Sequence, residues 1–453
     1  MVKYTMEIGD NVKLTFQGGI HINEHKNTAK LKTVDFFDVK RVAIPLSQHI
    51  GAPCRPLVAV GQHVDVGEVI GDNESALCCP VHASVSGTVV GFEERIVANG
   101  ARVSHVIIES DGNQTLYAGL KGTDKALTEL TADEVIDAVR RGGIVGMGGA
   151  AFPTYQKIRS ALGKVKNLII NCAECEPYIT SNHRLLLESP DDVIKGIKIL
   201  IHTLGLRRAT IAIEDNKEDA VKLLKEKITD KALISVKVLE TKYPQGDERQ
   251  IINALYGKEL PAGKLPADVG CVIFNAETTA SIYHVLSTGM PSVYKRVTVD
   301  GDAIKKPLNI QVPVGTSFAD IAEFCGGTKK RFSRLISGGP MMGVAQWSLD
   351  SVVTKSCNAL LFMTDGDERI GQCIRCGKCI KVCQMHLVPS MLAAYSQKEL
   401  YEQCEKLTVR SCVECGCCTY ICPGKVPIVQ YIRNAKGALN NRDRLIKEKG
   451  GAK

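Results

Sequence analysis

The spacing of apolar positions divides the chain into stretches of different period. Residues 46–110 read as short β-branched runs cut by glycines: Leu57–Val60, His63–Val66, Val69–Gly71, Val85–Val90 and Val103–Glu109. That pattern predicts an all-β unit. From residue 131 the period lengthens. Thr131 and Glu134 make a capping box, Val135, Ile136 and Val139 form an apolar helical face, and Gly142-Gly143 ends it. A strand is predicted at Val165–Ile170, followed by a strand–helix–strand unit at Ala209–Glu214, Asn216–Ile228 and Ile234–Glu240, with Asn216 as N-cap. Parallel pairing follows from that order. Tyr243–Glu248 is a turn entering a helix that reaches Tyr256 and stops at Gly257, and Cys271–Phe274 is a further apolar strand. Residues 291–345 suggest a small α+β module, with strands Val293–Val299 and Ile310–Val314, a hairpin signal at Asp300-Gly301, a helix at Phe318–Cys325 and a glycine turn at Ser337–Gly343. Pro389–Cys404 reads as one helix. The first 45 residues are polar and glycine-broken and predict irregular structure. The tail after Asn440 is charged and predicts fraying.

The chain is thus a multidomain α/β plus β protein with a helical C-terminal part. The expected division is a segment at 1–45, a β unit at 46–115, an α/β domain at 125–290, a small module at 291–350, a cysteine-rich domain at 360–435 and a charged tail at 436–453. Its 453 residues leave room for several domains. No apolar run approaches the length of a membrane helix. The first residues have no signal-peptide pattern, so a cytoplasmic chain, or one peripheral to a membrane, is expected. The net charge of +8 gathers at Lys329–Arg331 with Arg334 and again at Arg442–Lys453. A solvated surface explains such runs, as does attraction to an acidic partner or an anionic membrane face. Nucleic acid is not expected, because aromatics are 5% and no recognition motif is present.

The cysteines change the picture most. Of 18, eight fall in two runs of one spacing, Cys373-x-x-Cys376-x-x-Cys379-x-x-x-Cys383 and Cys412-x-x-Cys415-x-x-Cys418-x-x-x-Cys422-Pro423. This spacing binds two [4Fe–4S] clusters in bacterial-type ferredoxins, where the fourth thiolate of each run ligates the other cluster. Cys373, Cys376, Cys379 and Cys422 are therefore assigned to one cluster, and Cys412, Cys415, Cys418 and Cys383 to the other. Cys417 is out of register and spare, and Cys404 lies on a helix outside the set. A zinc ribbon needs paired CxxC motifs rather than two four-cysteine runs. Disulfide frameworks belong to small secreted domains. Cys78-Cys79 reads as structural or incidental, and the isolated Cys172/Cys175 pair as two small core residues.

A second candidate site lies upstream. Gly146-x-Gly148-x-x-Ala151 has the form of a dinucleotide fingerprint, but a helix precedes it rather than a strand. What remains is a glycine-rich loop running into a helix at Pro153–Leu162. That arrangement suits either a phosphate cradle or a tight turn. Nearby strands deliver Asn171-Cys-Ala-Glu-Cys-Glu176 and Asn275-Ala-Glu-Thr278 to their C-terminal edges. Several such edges in one α/β domain mark a ligand crevice.

Two resemblances follow from these residues. The glycine-cut strands of 46–115 resemble the lipoyl/biotinyl barrel-sandwich fold. No lysine lies between Lys40 and Lys121, so a carrier arm is excluded. The chain as a whole resembles the RnfC family over nearly its full length. Phe16-x-Gly-Gly-Ile-His21, the lysine-free barrel sandwich, Gly146-Met-Gly-Gly-Ala-Ala-Phe-Pro-Thr154, a β-grasp (SLBB-like) module and the double cysteine run occur in that order. The α/β domain is similar to the FMN- and NADH-binding subunit of respiratory complex I. The resemblance implies a Rossmann-like FMN/NADH domain in which Gly146, Gly148 and Lys157 hold FMN and Phe152 stacks on the nicotinamide. It implies that Asn171, Glu174, Asn275 and Thr278 contact FMN, that Glu176 contacts the dinucleotide, and that Gly246 and Asp247 match more loosely. Met147 replaces a family arginine and Ala173 an aspartate.

The implied cofactors are FMN and two [4Fe–4S] clusters, with NAD(H) as substrate. The implied partners are other Rnf subunits, including membrane subunits, and ferredoxin indirectly. The implied place is the cytoplasmic side of the cell membrane, peripherally bound. The implied activity is ferredoxin:NAD+ oxidoreduction coupled to Na+ or H+ movement. Hydride transfer needs no general base, so none is assigned. The alternatives are a soluble flavin and iron–sulfur cobalamin reductase of the microcompartment type, and a non-catalytic electron carrier or scaffold.

Overall fold

A computed structural model describes residues 14–75, 77–98, 100–329, 332–364 and 370–450, with Lys449 and Gly450 as backbone alone. Its centre is a four-stranded parallel sheet in the order Ile234–Leu239, Ala209–Glu214, Asn167–Cys172, Cys271–Asn275. Helices cover both faces, which is why these strands carry near-continuous apolar runs. Leu168, Ile170, Ile211, Ile213 and Phe274 pack towards the helices Pro190–Thr203 and Ala276–Thr288. Ile169, Ala212 and Ile273 pack with Ile251 and Ile252 of the helix Glu248–Tyr256.

The β unit is two sheets around one core. A four-stranded sheet orders Arg41–Pro45, Arg102–Ser110, Gly87–Ile96 and His63–Val64; a three-stranded sheet orders Arg55–Pro56, Val69–Asp72 and Val81–His82. Val42, Ile44, Val64, Ile70, Val89, Val106 and Ile108 fill the space between. The small module is a six-stranded mixed sheet carrying the helix Phe318–Phe324. Asp300-Gly301 ends the strand Tyr294–Asp300, with Gly301 at φ +117°, but the return strand begins only at Leu308. The cysteine-rich end is helical, with short helices at Lys378–Lys381 and Cys417–Tyr420 and a long one at Ile428–Gly450.

Several expectations are corrected. The opening segment is not loose from residue 14 onward. Leu14 bridges to Leu239, Ile20 to Tyr243, and Val34–Asp35 pairs with Ile310–Gln311, so it stitches the central sheet to the small module. Arg41–Pro45 already belongs to the β unit. Residues 1–13 lie outside the described residues, as do Lys330 and Arg331 of the basic run and the last three of the tail. The helix after Ala209–Glu214 starts at Glu218. Asn216 does not cap it, because its amide donates to Glu24 instead. The stretch 389–404 is two helices, Pro389–Gln397 and Tyr401–Lys406, broken where Glu399 takes φ +56°. The tail continues the last helix to Gly450. Arg410–Asp443 (2.6 Å) and Arg442–Glu405 (2.7 Å) ion pairs hold its start against the preceding helices.

Candidate functional site

The central sheet reverses direction between two neighbouring strands. From Asn167–Cys172 the chain steps to Ala209–Glu214 and Ile234–Leu239 on one side, and later returns as Cys271–Asn275 on the other. Loops leaving the C-terminal ends of such strands diverge and open a crevice. At that edge Asn275 stands in register with Asn171. Each amide fixes a loop. The Asn275 side-chain oxygen accepts from the N–H groups of Glu277 (2.9 Å) and Thr278 (3.4 Å), capping the next helix. Asn171 accepts from Ala173 N–H at 3.1 Å and donates to the carbonyl of Gly246 at 2.8 Å. Asp247 caps the helix that follows that turn.

The glycine loop is closed on itself. Gly146 N–H donates to the Phe152 carbonyl (2.8 Å) and Ala151 N–H to the Gly146 carbonyl (3.1 Å). Thr278 pins it from below: its hydroxyl accepts from Met147 N–H at 2.9 Å and donates to the Val145 carbonyl at 3.4 Å. Met147 is buried beneath the loop, so the residue in place of the family arginine serves packing. A Cβ at Gly146 would come no nearer than 3.6 Å to another atom, one at Gly148 no nearer than 3.5 Å, and one at Gly149 would meet nothing within 4 Å. The chain's own packing therefore does not demand glycine at Gly146 and Gly148, whereas close approach by a ligand does. Gly149 also needs its φ of +119°.

The helix Thr154–Ala161 carries Lys157 beside this loop. Its ammonium lies 5.6 Å from the centre of the Phe274 ring and has no hydrogen bond or ion pair among the described residues. Burial pushes its pKa down, with Glu248 opposing. An unpaired, partly desolvated cation is costly unless an anion joins it. The loop, the helix start and Lys157 together fit a phosphate group.

Glu174 and Glu176 are placed differently from the amides. The Glu174 carboxylate accepts from Asn182 N–H (2.6 Å), His183 N–H (3.1 Å) and the Ser181 hydroxyl (3.3 Å), capping the helix Ser181–Glu188. The Glu176 carboxylate accepts from Met341 and Met342 N–H at 3.0 and 2.8 Å, and burial raises its pKa to about 7. Lys26 holds this loop from the far side, donating to the carbonyls of Glu174, Glu176 and Ile179 at 2.8, 2.9 and 2.6 Å. No local pattern marks Lys26 in the sequence, since its partners are some 150 residues away.

The cysteine runs lie against the same loops. Cys383, Cys412, Cys415 and Cys418 line one small cavity with Leu387, Pro389 and Ile432, so Cys383 sits with the second run. Backbone N–H groups of Leu387 and Glu414 point at the sulfurs of Cys383 and Cys412, each at 3.4 Å. Cys373 and Cys376 are exposed, and Gly371 N–H donates to the Gly424 carbonyl at 3.1 Å, drawing the start of the first run towards Cys422. Burial pushes the Cys412 thiol up to about 11, and the hydrogen bond from Cys417 draws Cys415 down. The Tyr243 hydroxyl donates to the Cys415 carbonyl at 2.6 Å. Cys175, which accepts from Gly246 N–H at 3.2 Å, packs in one cluster with Tyr243, Cys417, Ile20 and Cys415. Phe16–His21 is the clamp: Gly19 N–H donates to Val382 and Ile20 N–H to Tyr243. The motif is visible in the sequence, but its clamping role is not, because both partners lie more than 200 residues away.

Known families match the chain in parts, and known relatives match it over most of its length. Family models align for the Nuo51 FMN-binding domain over residues 139–284, the RnfC barrel sandwich hybrid domain over 14–113 and the SLBB domain over 296–345. The fold and site thus define a protein built on a complex-I-type FMN-binding domain. The chain is 42% identical over 429 residues to the RnfC-type subunit of the Na+-translocating ferredoxin:NAD+ oxidoreductase complex of Acetobacterium woodii, covering 93% of this chain and 96% of that one. It is 41% identical over 428 residues to the proton-translocating counterpart of Clostridium ljungdahlii, covering 93% of each. With the corresponding subunit of the ion-translocating oxidoreductase complex of Vibrio cholerae it shares 36% over 404 residues, 87% of this chain and 52% of the relative. The chain belongs to the RnfC family of ion-translocating oxidoreductase subunits. Nothing in these matches supports a soluble cobalamin reductase. Among the described residues no helix is long and apolar enough to cross a membrane.

Proposed function

We propose that this protein passes electrons between NAD(H), an FMN held in the central crevice and two [4Fe–4S] clusters. It would do so as the peripheral, cytoplasmic-side member of a complex that couples ferredoxin:NAD+ oxidoreduction to Na+ or H+ translocation. The observation that carries this is the packing of the cysteine-rich end directly on the loops that border the crevice, through Tyr243, Cys175 and Cys415. FMN supplies the exchange between two-electron hydride chemistry and one-electron carriers. The protein supplies place. Gly146, Gly148 and the loop N–H groups, with Lys157, hold the phosphate end. Asn171, Asn275 and Thr278 orient the flavin, Thr278 by fixing the loop. Phe152 covers the nicotinamide. Gly246, Asp247, Glu174 and Glu176 shape the crevice wall, the two glutamates through loops that their carboxylates lock. No side chain need move a proton during hydride transfer.

Two clusters are assigned, one to Cys412, Cys415, Cys418 and Cys383, the other to Cys373, Cys376, Cys379 and Cys422. The first set abuts the central domain and the second includes the exposed Cys373 and Cys376. The inner set therefore exchanges electrons with the crevice, and the outer set with the next protein of the complex. Flavin and iron analysis of the anaerobically reconstituted chain tests the reading. One FMN and about eight irons per chain are expected for two cubane clusters; a chain that retains no flavin contradicts it.

A further inference from the structure

The β unit holds a group of buried side chains that electron transfer does not use. The coordinating atoms of His49, Cys54 and Cys78 all lie within 4.8 Å of one another. Cys54 Sγ is 3.5 Å from Cys78 Sγ, and Cys78 Sγ is 3.6 Å from His49 Nε2. A carboxylate lies beside the group, with Asp72 Oδ1 at 3.9 Å from Cys78 Sγ. A tetrahedral ion with metal–sulfur bonds of about 2.3 Å and metal–nitrogen bonds of about 2.0–2.1 Å has sulfur–sulfur edges of about 3.8 Å and sulfur–nitrogen edges of about 3.5 Å. The Cys54–Cys78 and Cys78–His49 separations match those edges to within a few tenths of an ångström.

The surroundings suit a metal as well. His49 Nδ1 faces the Ile50 carbonyl at 3.3 Å, which sets the tautomer and leaves Nε2 bare towards the sulfurs. Nε2 meanwhile accepts from Cys79 N–H at 3.1 Å, a contact that an ion would replace. Asp72 is oriented by Arg140 at 3.0 and 3.1 Å and by Asn73 N–H at 2.7 Å. Two thiolates, a carboxylate and a neutral imidazole around a dication leave one negative charge. The Lys355 ammonium, buried close by and held by the carbonyls of Gly143 (2.8 Å) and Pro80 (3.3 Å), offsets it.

We infer that His49 Nε2, Cys54 Sγ and Cys78 Sγ, with Asp72 Oδ1 drawn in from beside them as the fourth donor, form a tetrahedral site for one thiophilic divalent cation of the zinc class. Mixed nitrogen, sulfur and oxygen donors in tetrahedral array select zinc over the hard cations. Loading deprotonates both thiols and releases their two protons. The position gives the ion a structural task. Ile50 N–H donates to the Ala151 carbonyl (3.1 Å), Cys79 Sγ to the Ile144 carbonyl (3.8 Å) and Cys78 N–H to the Tyr155 hydroxyl (3.4 Å). The two loops that hold the ion are thus the ones that brace the glycine loop from behind.

The test uses the full chain with its clusters already reconstituted, loaded with zinc and washed with a mild chelator. Elemental analysis should find about one zinc per chain, and zinc-edge X-ray absorption should show two sulfurs at about 2.3 Å and two lighter donors at about 2.0–2.2 Å. In C54S/C78S the zinc should vanish while iron is unchanged, and H49Q should weaken retention at least tenfold. A four-sulfur shell would place the zinc in a cysteine run and overturn the site. So would zinc unaffected by C54S/C78S, absence of retained zinc, or a Cys54–Cys78 disulfide found by mass spectrometry in the anaerobically purified chain. If the double variant does not fold, the X-ray absorption shell of the unaltered chain decides.

Discussion

Asn275 stands opposite Asn171 in the parallel register of the two strands that flank the sheet's reversal point. One amide caps the helix that carries Thr278; the other ties the 171–176 loop to the Gly246 turn. Through Thr278 the first reaches the glycine loop, and through Cys175 the second reaches the cysteine-rich end. Two residues about 100 positions apart thus join the glycine loop to the cysteine-rich end.

Lys157 is the most direct probe of the phosphate end. A charge-assisted hydrogen bond contributes about 1.5–3 kcal/mol, so Lys157→Gln should weaken FMN binding roughly ten- to hundredfold. Fluorescence titration of the flavin-free chain measures it. Lys157→Gln should not destabilise the flavin-free chain, because it removes an unpaired cation.

Thr278→Val tests the pin beneath the loop. It leaves Met147 N–H buried without its acceptor, a cost of about 1–3 kcal/mol. FMN retention on gel filtration should fall, and Thr278→Ser should restore it. Equal loss in both variants would show that the methyl group, not the hydroxyl, matters.

The crossed ligation separates two cysteines. Cys383→Ala should disturb the EPR signal of the cluster held by Cys412, Cys415 and Cys418, whereas Cys422→Ala should disturb that of Cys373, Cys376 and Cys379. Loss confined in each variant to the cluster of its own run would refute the crossing.

Glu176 titrates near 7 in the folded chain and near 4.5 when unfolded. The native state therefore holds the extra proton across that interval, and its contribution to stability is present below about 4.5 and is lost as pH rises through about 7. Chemical denaturation of the chain and of Glu176→Gln should converge at acid pH. The variant should gain relative stability towards pH 8. A constant difference across that range would contradict the assignment.

Much of this was readable in the sequence because local rules decide it. The Thr131/Glu134 box, the turn at Tyr243–Glu248 and the stop at Gly257 follow from capping and glycine conformation, and each forms as expected. The structure brings the glycine loop, Asn171 and Asn275 to one crevice edge. What stayed hidden depends on distant partners. Asn216 has the right chemistry for a cap, yet Glu24 takes its amide. The charged tail reads as frayed, yet Glu405 and Arg410 hold it helical. The carboxylates of Glu174 and Glu176 also lock their own loops through backbone N–H groups, partners that sequence spacing does not reveal. No spacing marks the His49, Cys54 and Cys78 group, because loop closure gathers it.

The central claim is one path from nicotinamide through flavin to clusters, and anaerobic titration with NADH tests it most directly. With the FMN-loaded, cluster-reconstituted chain, the flavin absorbance should bleach first and the cluster absorbance should follow, with Tyr243→Ala slowing the second phase and not the first. If NADH bleaches neither chromophore, the account is contradicted.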